Sequence, residues 1–208
     1  MPAGYRLAPR NATAASVHAT PRGRRRLIRS GSPFSAGCQA TRSLFSMAIG
    51  SDTVSIVSTA THAVLATVAV GRAPLTPASN NNRYKTYVPS ATDGTVSVID
   101  QKTRTLARTL PVGRGPQFAA IDGRHDKVYV NNVTDRTVSV IDSATDTVVR
   151  TIATGAGTPS NFGSVNGVYR RYYLPNATDD TLTVTTAGTF AGLVPVRAAF
   201  AGAGTGLP

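Results

Sequence analysis

Short apolar runs closed by Asp, Gly, Asn or Pro dominate the pattern of hydrophobic and polar positions along this chain. The clearest stretch reads QFAAID, KVYVNN, TVSVID and VVRTIAT between Gln117 and Thr154, with GRHD, VTDR and SATD between the runs. Runs this close together, rich in Val, Thr and Ile and separated by tight turn strings, predict an antiparallel meander of four strands, a to d. Nowhere does an apolar stripe of helical period follow a capping residue, so no helix is expected.

The same unit recurs. The Thr that opens "TVSVID" stands at Thr95 and Thr137, and the same frame finds "TVSIVS" from Thr53 and "TLTVTT" from Thr181. The spacings are therefore 42, 42 and 44 residues. Eight residues before the anchors stand Phe45, Tyr87, Tyr129 and Tyr173, and about fourteen residues after each anchor lies a further strand-like run. Pro74, Pro116 and Pro159 open successive units, and Pro33 opens a decayed first one. A period of 40–45 residues with four strands per unit is that of a propeller blade. The expected fold is all-β: a β-propeller of about four four-stranded antiparallel blades, spanning 33–73, 74–115, 116–158 and 159–197.

Strand c sharpens this expectation. Val96 and Val98 alternate with Thr95, Ser97 and Ile99 without a charge. A sheet with one wet face would put charges on alternate positions. Both faces of strand c should therefore be packed, as in blades stacked around an axis. Charge enters instead at Arg108 and Arg150 in strand d, where an outermost edge benefits from it. Tyr129 and Val138 are expected between blades. Asp100 and Asp142, ending strand c, are expected to accept hydrogen bonds from the turn that follows, with Ser58 and Thr186 as weaker substitutes.

These landmarks carry a family resemblance. "KVYVNNVTDRTVSVIDSATDTVVRTIATG" resembles the YVTN-repeat β-propellers, closely over residues 74–155, fairly over 156–197, weakly over 33–73 and not before. The motifs are structural, so what they imply is chiefly the fold. The resemblance also implies a bacterial or archaeal protein of periplasmic or surface-layer type, in which seven blades are usual. Four blades depart from that number. Either they close by themselves, or two chains complete a ring, or the chain is a piece of a longer gene; a weak first repeat behind a basic start favours the last.

Composition adds charge to the picture. The ten acids are all Asp, and Arg far outnumbers Lys. Residues 1–50 hold eight Arg and no acid, whereas the remainder holds 14 basic and ten acidic side chains, so two-thirds of the +12 sits in the first quarter of the chain. Residues 1–32 are expected to form an Arg-rich tail without fixed structure and 198–208 a flexible Gly-rich end. The tail lacks the apolar core of an export signal, so it does not settle a compartment. One cysteine, Cys38, excludes an internal disulfide, and no apolar run is long enough for a membrane span.

Chemistry is sparse. His18, His62 and His125 occupy different repeat positions and are expected to be exposed loop residues. "VGRGP" lacks the Lys and helix of a phosphate loop. No catalytic residue, metal site or cofactor is expected. What remains is geometric: in a meander the b–c turns and the d–a connections share one end. That end should collect Arg72, Arg114, Asp93, Asn131, Asn132, Asp135, Arg136, Asp179 and Asp180, a polar loop face suited to a protein or a polar or anionic ligand. Three functions compete. The leading one is a non-catalytic binding or scaffold propeller. The others are sequence-independent nucleic-acid binding through residues 22–29, and a lactonase-like or dehydrogenase-like propeller enzyme. Self-association to complete the ring belongs to the first.

Overall fold

A computed structural model of the chain describes residues 16–19, 25–28, 35–38, 43–48, 50–155, 162–176, 178, 180–186 and 189–195. The described residues form strands and turns with no helix. Four sheets of four strands follow one another. β1 (Ser16–Ala19) and β2 (Arg25–Ile28) precede them as an antiparallel pair. The first sheet is β3 (Ser35–Cys38), β4 (Ser43–Ala48), β5 (Thr53–Ser58) and β6 (Val64–Ala69). The second is β7 (Ala78–Asn80), β8 (Lys85–Ser90), β9 (Thr95–Asp100) and β10 (Thr105–Pro111). The third is β11 (Pro116–Asp122), β12 (Lys127–Asn132), β13 (Thr137–Asp142) and β14 (Thr147–Ala153), and the fourth β15 (Ser164–Asn166), β16 (Arg171–Asn176), β17 (Thr181–Thr186) and β18 (Thr189–Pro195). The pair β1–β2 lies inside residues 1–32, where the charge pattern led us to expect no regular structure; its register sets Val17 opposite Leu27 and Ser16 opposite Ile28.

Each sheet is a simple meander in spatial order a-b-c-d, and its register repeats. Phe45 faces Ile56, Tyr87 faces Val98, Tyr129 faces Val140 and Tyr173 faces Val184. Strand c is buried on both faces: in β9 and β13 the four central residues are all covered. The d strands β10 and β14 are largely exposed, with Leu110 and Ile152 as their buried residues. Every d strand also carries a bulge that the sequence pattern did not announce, leaving Leu65, Ala107, Val149 and Ala191 without a cross-strand partner. An extra residue bends an edge and discourages further pairing, so the outer edges are protected by shape as well as by Arg108 and Arg150.

Three apolar clusters join consecutive sheets. Phe45, Val54, Ile56 and Val68 meet Val88 and Ile99. Tyr87, Val96, Val98 and Leu110 meet Val128, Val130 and Ile141. Tyr129, Val138, Val140 and Ile152 meet Tyr172 and Leu174, with the Tyr129 and Tyr172 rings stacked at 4.7 Å. One rule covers all three. The residues eight before the anchor and one, three and fifteen after it face the next sheet; those nine or seven before it and four after it face the previous one. In the fourth sheet the fully covered aromatic is Tyr172 rather than Tyr173, because Tyr172 points back at the third sheet while Tyr173 points onward.

The turns repeat as backbone. The last residue before strand c has positive φ in all four sheets: Asp52, Gly94, Arg136 and Asp180. The same holds before strand b at Tyr84, Asp126 and Arg170, and positive φ recurs in the c–d turns at His62, Arg104 and Asp146. Asp100 Oδ1 accepts from the Lys102 and Thr103 amides at 2.7 and 2.9 Å, Asp142 Oδ1 from those of Ala144 and Thr145, and Ser58 Oγ from those of Ala60 and Thr61. The side chain of Thr186 lies outside the described residues.

Candidate functional site

The end of the molecule that carries the b–c turns also carries the d–a connections, and backbone bonds tie them: Thr92 N–H to Arg72 C=O, Val112 N–H to Gly94 C=O, Val133 N–H to Gly115 C=O. Two identical clamps stand there. Arg72 donates its main-chain N–H to Asp93 Oδ2 at 2.7 Å and its Nε–H to Asp93 Oδ1 at 2.6 Å. Arg114 does the same to Asp135, with the same two distances. In each case the Arg belongs to the connection leaving one sheet and the Asp to the b–c turn of the next. The clamp thus fastens consecutive sheets at their rim. Both guanidinium groups remain largely exposed, at 67% and 79% for the side chain, and their Nη groups have no partner among the described residues. The main-chain N–H and then the guanidinium of Arg72 hold the Asp93 carboxyl below its ordinary range, and those of Arg114 do so for Asp135.

The clamp repeats a sequence signal that composition hides: Asp93 follows Arg72 by 21 residues, as Asp135 follows Arg114. Asp179 holds the corresponding place in the fourth repeat, but Ala156 stands where its Arg would be. Asp179 lies outside the described residues; Asp180 is exposed at the turn and, like Arg136, is part of other interactions. The Arg136 carbonyl accepts from Thr154 N–H and Oγ1–H, and the residue itself is exposed.

Asn131 and Asn132 correct the expectation. Both are fully buried and present nothing to solvent. Asn131 Oδ1 accepts from the Tyr172 hydroxyl at 2.5 Å, across the junction of the third and fourth sheets. Asn132 Nδ2 donates to Thr137 Oγ1 and Ser139 Oγ within its own sheet. The physical reason is that both belong to strand b, not to the turn, and the connection before them closes over the strand end. Gly113 passes so near that a Cβ there would lie 2.9 Å from Asn132 Cβ. Asn176 repeats the Asn132 arrangement on Thr181 and Thr183.

The opposite end holds a set of links between sheets that sequence reasoning missed. Lys85 Nζ and the Tyr87 hydroxyl both donate to Asp146, at 2.6 and 2.9 Å, and Lys85 Nζ also donates to the Ser143 carbonyl. Arg83 grips Asp126 through Nε and Nη2. Burial first, and then Asp146, push the Tyr87 hydroxyl well above its ordinary value. His125 is not the exposed loop residue expected. Its Nδ1 lies 2.7 Å from the buried carboxylate of Asp122, and its Nε2 accepts from Arg170 Nε at 2.9 Å, which makes Nδ1 the donor toward Asp122. With both ring nitrogens engaged, His125 fastens the third sheet to the fourth. His62 is exposed. Among the described residues no group of three or more His, Cys, Asp or Glu converges as a metal site would require.

Comparison with known protein families and with curated proteins finds no match. Solved structures do match. The chain superposes on hydrazine synthase of Kuenenia stuttgartiensis with a TM-score of 0.70 and 19% identity over 91% of its length. It superposes on the dihydro-heme d1 dehydrogenase NirN with a TM-score of 0.67 and 14% identity over 83%. The fold is that of a β-propeller. At these identities the propeller fold alone is shared, and the chain spans 52% of the first protein and 39% of the second. The sheets are thus blades, and the clamped end is a rim of the propeller.

Proposed function

We propose that this chain is a YVTN-type binding propeller, without a catalytic role, that takes an anionic partner on the rim carrying Arg72 and Arg114. The observation that carries the reading is the repeated clamp. Each Arg is fixed by two bonds to one Asp, so its guanidinium is already oriented, while its Nη groups stay in solvent at the same rim, one blade apart. A fixed guanidinium loses less freedom on binding a carboxylate or phosphate than a free one, and its remaining N–H pair matches such a group's two oxygens. Because each Arg is paired, the rim is close to neutral and attracts anions over short range only. Binding is therefore expected to be weak and salt-sensitive, as for exposed ion pairs generally.

The test is titration calorimetry with a poly-aspartate peptide and a single-stranded oligonucleotide. With Arg72→Ala and Arg114→Ala combined, peptide affinity should fall at least about tenfold, a loss of roughly 1.4 kcal/mol. Replacing Arg24, Arg25 and Arg26 by Gln should leave it unchanged. If the tail substitutions abolish binding to both probes and the rim pair does not matter, the basic tail is the binding element and the rim proposal is wrong.

A further inference from the structure

The two end blades leave partly open several of the positions that the inner junctions bury, although Val184, three residues after the fourth anchor, is covered. Eight residues before the anchor and one after it, Phe45, Tyr87 and Tyr129, with Val54, Val96 and Val138, are all buried by the next blade. In the fourth blade the same positions are Tyr173 and Leu182, and both are partly open to solvent. The backward-facing positions behave alike. Val88, Val130 and Leu174, with Ile99 and Ile141, are fully buried, whereas Ser46 and Val57 in the first blade are partly open, as is Leu44 beside them. Among the described residues the first and fourth sheets are not packed on each other.

A second feature points the same way. In the a–b turns, Asn82 and Arg83 reach the third blade, through the Gly123 carbonyl and Asp126, and His125 reaches Arg170 in the fourth. Val168 and Tyr169 hold the places of Asn82 and Arg83 in the fourth blade, with 70% and 66% of their surface exposed. Apolar side chains stand there in place of polar ones, on the side where a further blade would lie.

We propose that the forward face of the fourth blade, with Tyr173, Leu182, Tyr169 and Val168, docks on the backward face of the first blade, with Leu44 and Val57, in a second copy of this chain. The two faces are the halves of a junction the chain already forms three times, so each is complementary to the other and neither to itself. A two-fold pair uses the contact twice and leaves no open blade face, giving a ring of eight blades. One copy spans 52% of the hydrazine synthase chain on which it superposes.

Light scattering on the full chain tests this. The expected species is a pair of about 43 kDa, twice the 21.6 kDa of one chain. Tyr169→Asp, at an exposed site that cannot upset the core, should raise the dissociation constant about tenfold or more. Leu182→Asp and Leu44→Asp should each give a monomer with a preserved thermal transition. Mixing those two variants should restore pairing in part, because one of the two junctions is then intact. A monomer at about 50 µM would overturn the proposal, and so would a ladder of ever larger species. A pair that survives Leu44→Asp would mean that fourth blades meet each other, and would overturn it as well.

Discussion

Val138 and Arg150 lie one strand apart, yet the fold treats them oppositely. Val138 is sealed between Tyr172, Leu174 and its own sheet, while Arg150 stands on the exposed d strand. Val138→Asp leaves a carboxylate in an apolar junction with no cation beside it and should cost about 4 kcal/mol or more. Arg150→Ala should cost less than about 0.5 kcal/mol, the scale of an ordinary surface change. Urea titrations of the two variants check this, and comparable losses would mean that inner and outer strands are misassigned. At this scale the sequence was a partial guide. The alternation in "TVSVID" made Val138 legible, because two-sided burial leaves no room for charge. Asn131 and Asn132 were not legible. Asn reads as a turn former, and nothing in its own letters says that Gly113 will close over it or that Tyr172 will supply its donor.

Blades are held by two kinds of link, and only one was readable beforehand. The apolar junctions follow from the 42-residue period, since identical positions must face identical neighbours. The polar links follow from pairs of positions on consecutive repeats: Arg72 with Asp93, Arg83 with Asp126, Lys85 with Asp146. The 21-residue spacing of the rim clamp recurs in two repeats and Arg83 stands 43 residues from Asp126, close to the period, but Lys85 and Asp146 are 61 apart, and in no case do the letters alone say which charges meet. The connection between blades depends on close backbone approach as well. Gly113→Ala would place a methyl group 2.7 Å from Asn132 Nδ2, and that side chain is already committed to Thr137 and Ser139. The expected cost is about 1–3 kcal/mol, that of an overpacked site. Differential scanning calorimetry should register it as a lower midpoint for Gly113→Ala, and an unchanged midpoint would deny the close approach.

For the whole molecule, ionisation brackets the range of stability on both sides. Asp93, Asp100, Asp126, Asp135 and Asp142 all have carboxyls held below the ordinary 3.8, by backbone N–H groups or by Arg83, Lys127 and the rim arginines. A depressed carboxyl contributes stability that is present above its unfolded value and lost as pH falls through the folded one. The opposite sign holds for the tyrosines. Burial, and secondarily Asp122, raise Tyr129 to about 12, while Tyr87 and Tyr172 are displaced further upward. Their contribution is present below the ordinary 10 and is lost as pH rises through the folded values. Melting temperatures should therefore be level between about pH 5 and 9, falling on the acid side below 3.8 and on the alkaline side above 10. Phenolate absorbance at high pH should rise in step with unfolding for these three rings; free titration near 10 would contradict their burial. The left-handed turn residues carry a different implication. The place before strand c is filled by Asp52, Gly94, Arg136 and Asp180, yet its backbone conformation is the same each time. Holding a non-glycine residue there costs about 1 kcal/mol, a load that neighbouring bonds absorb whatever the side chain. Copies of one ancestral blade can therefore lose their resemblance letter by letter while selection acts only on shape, and the ancestry of such a chain survives longer in its dihedral angles than in its alphabet.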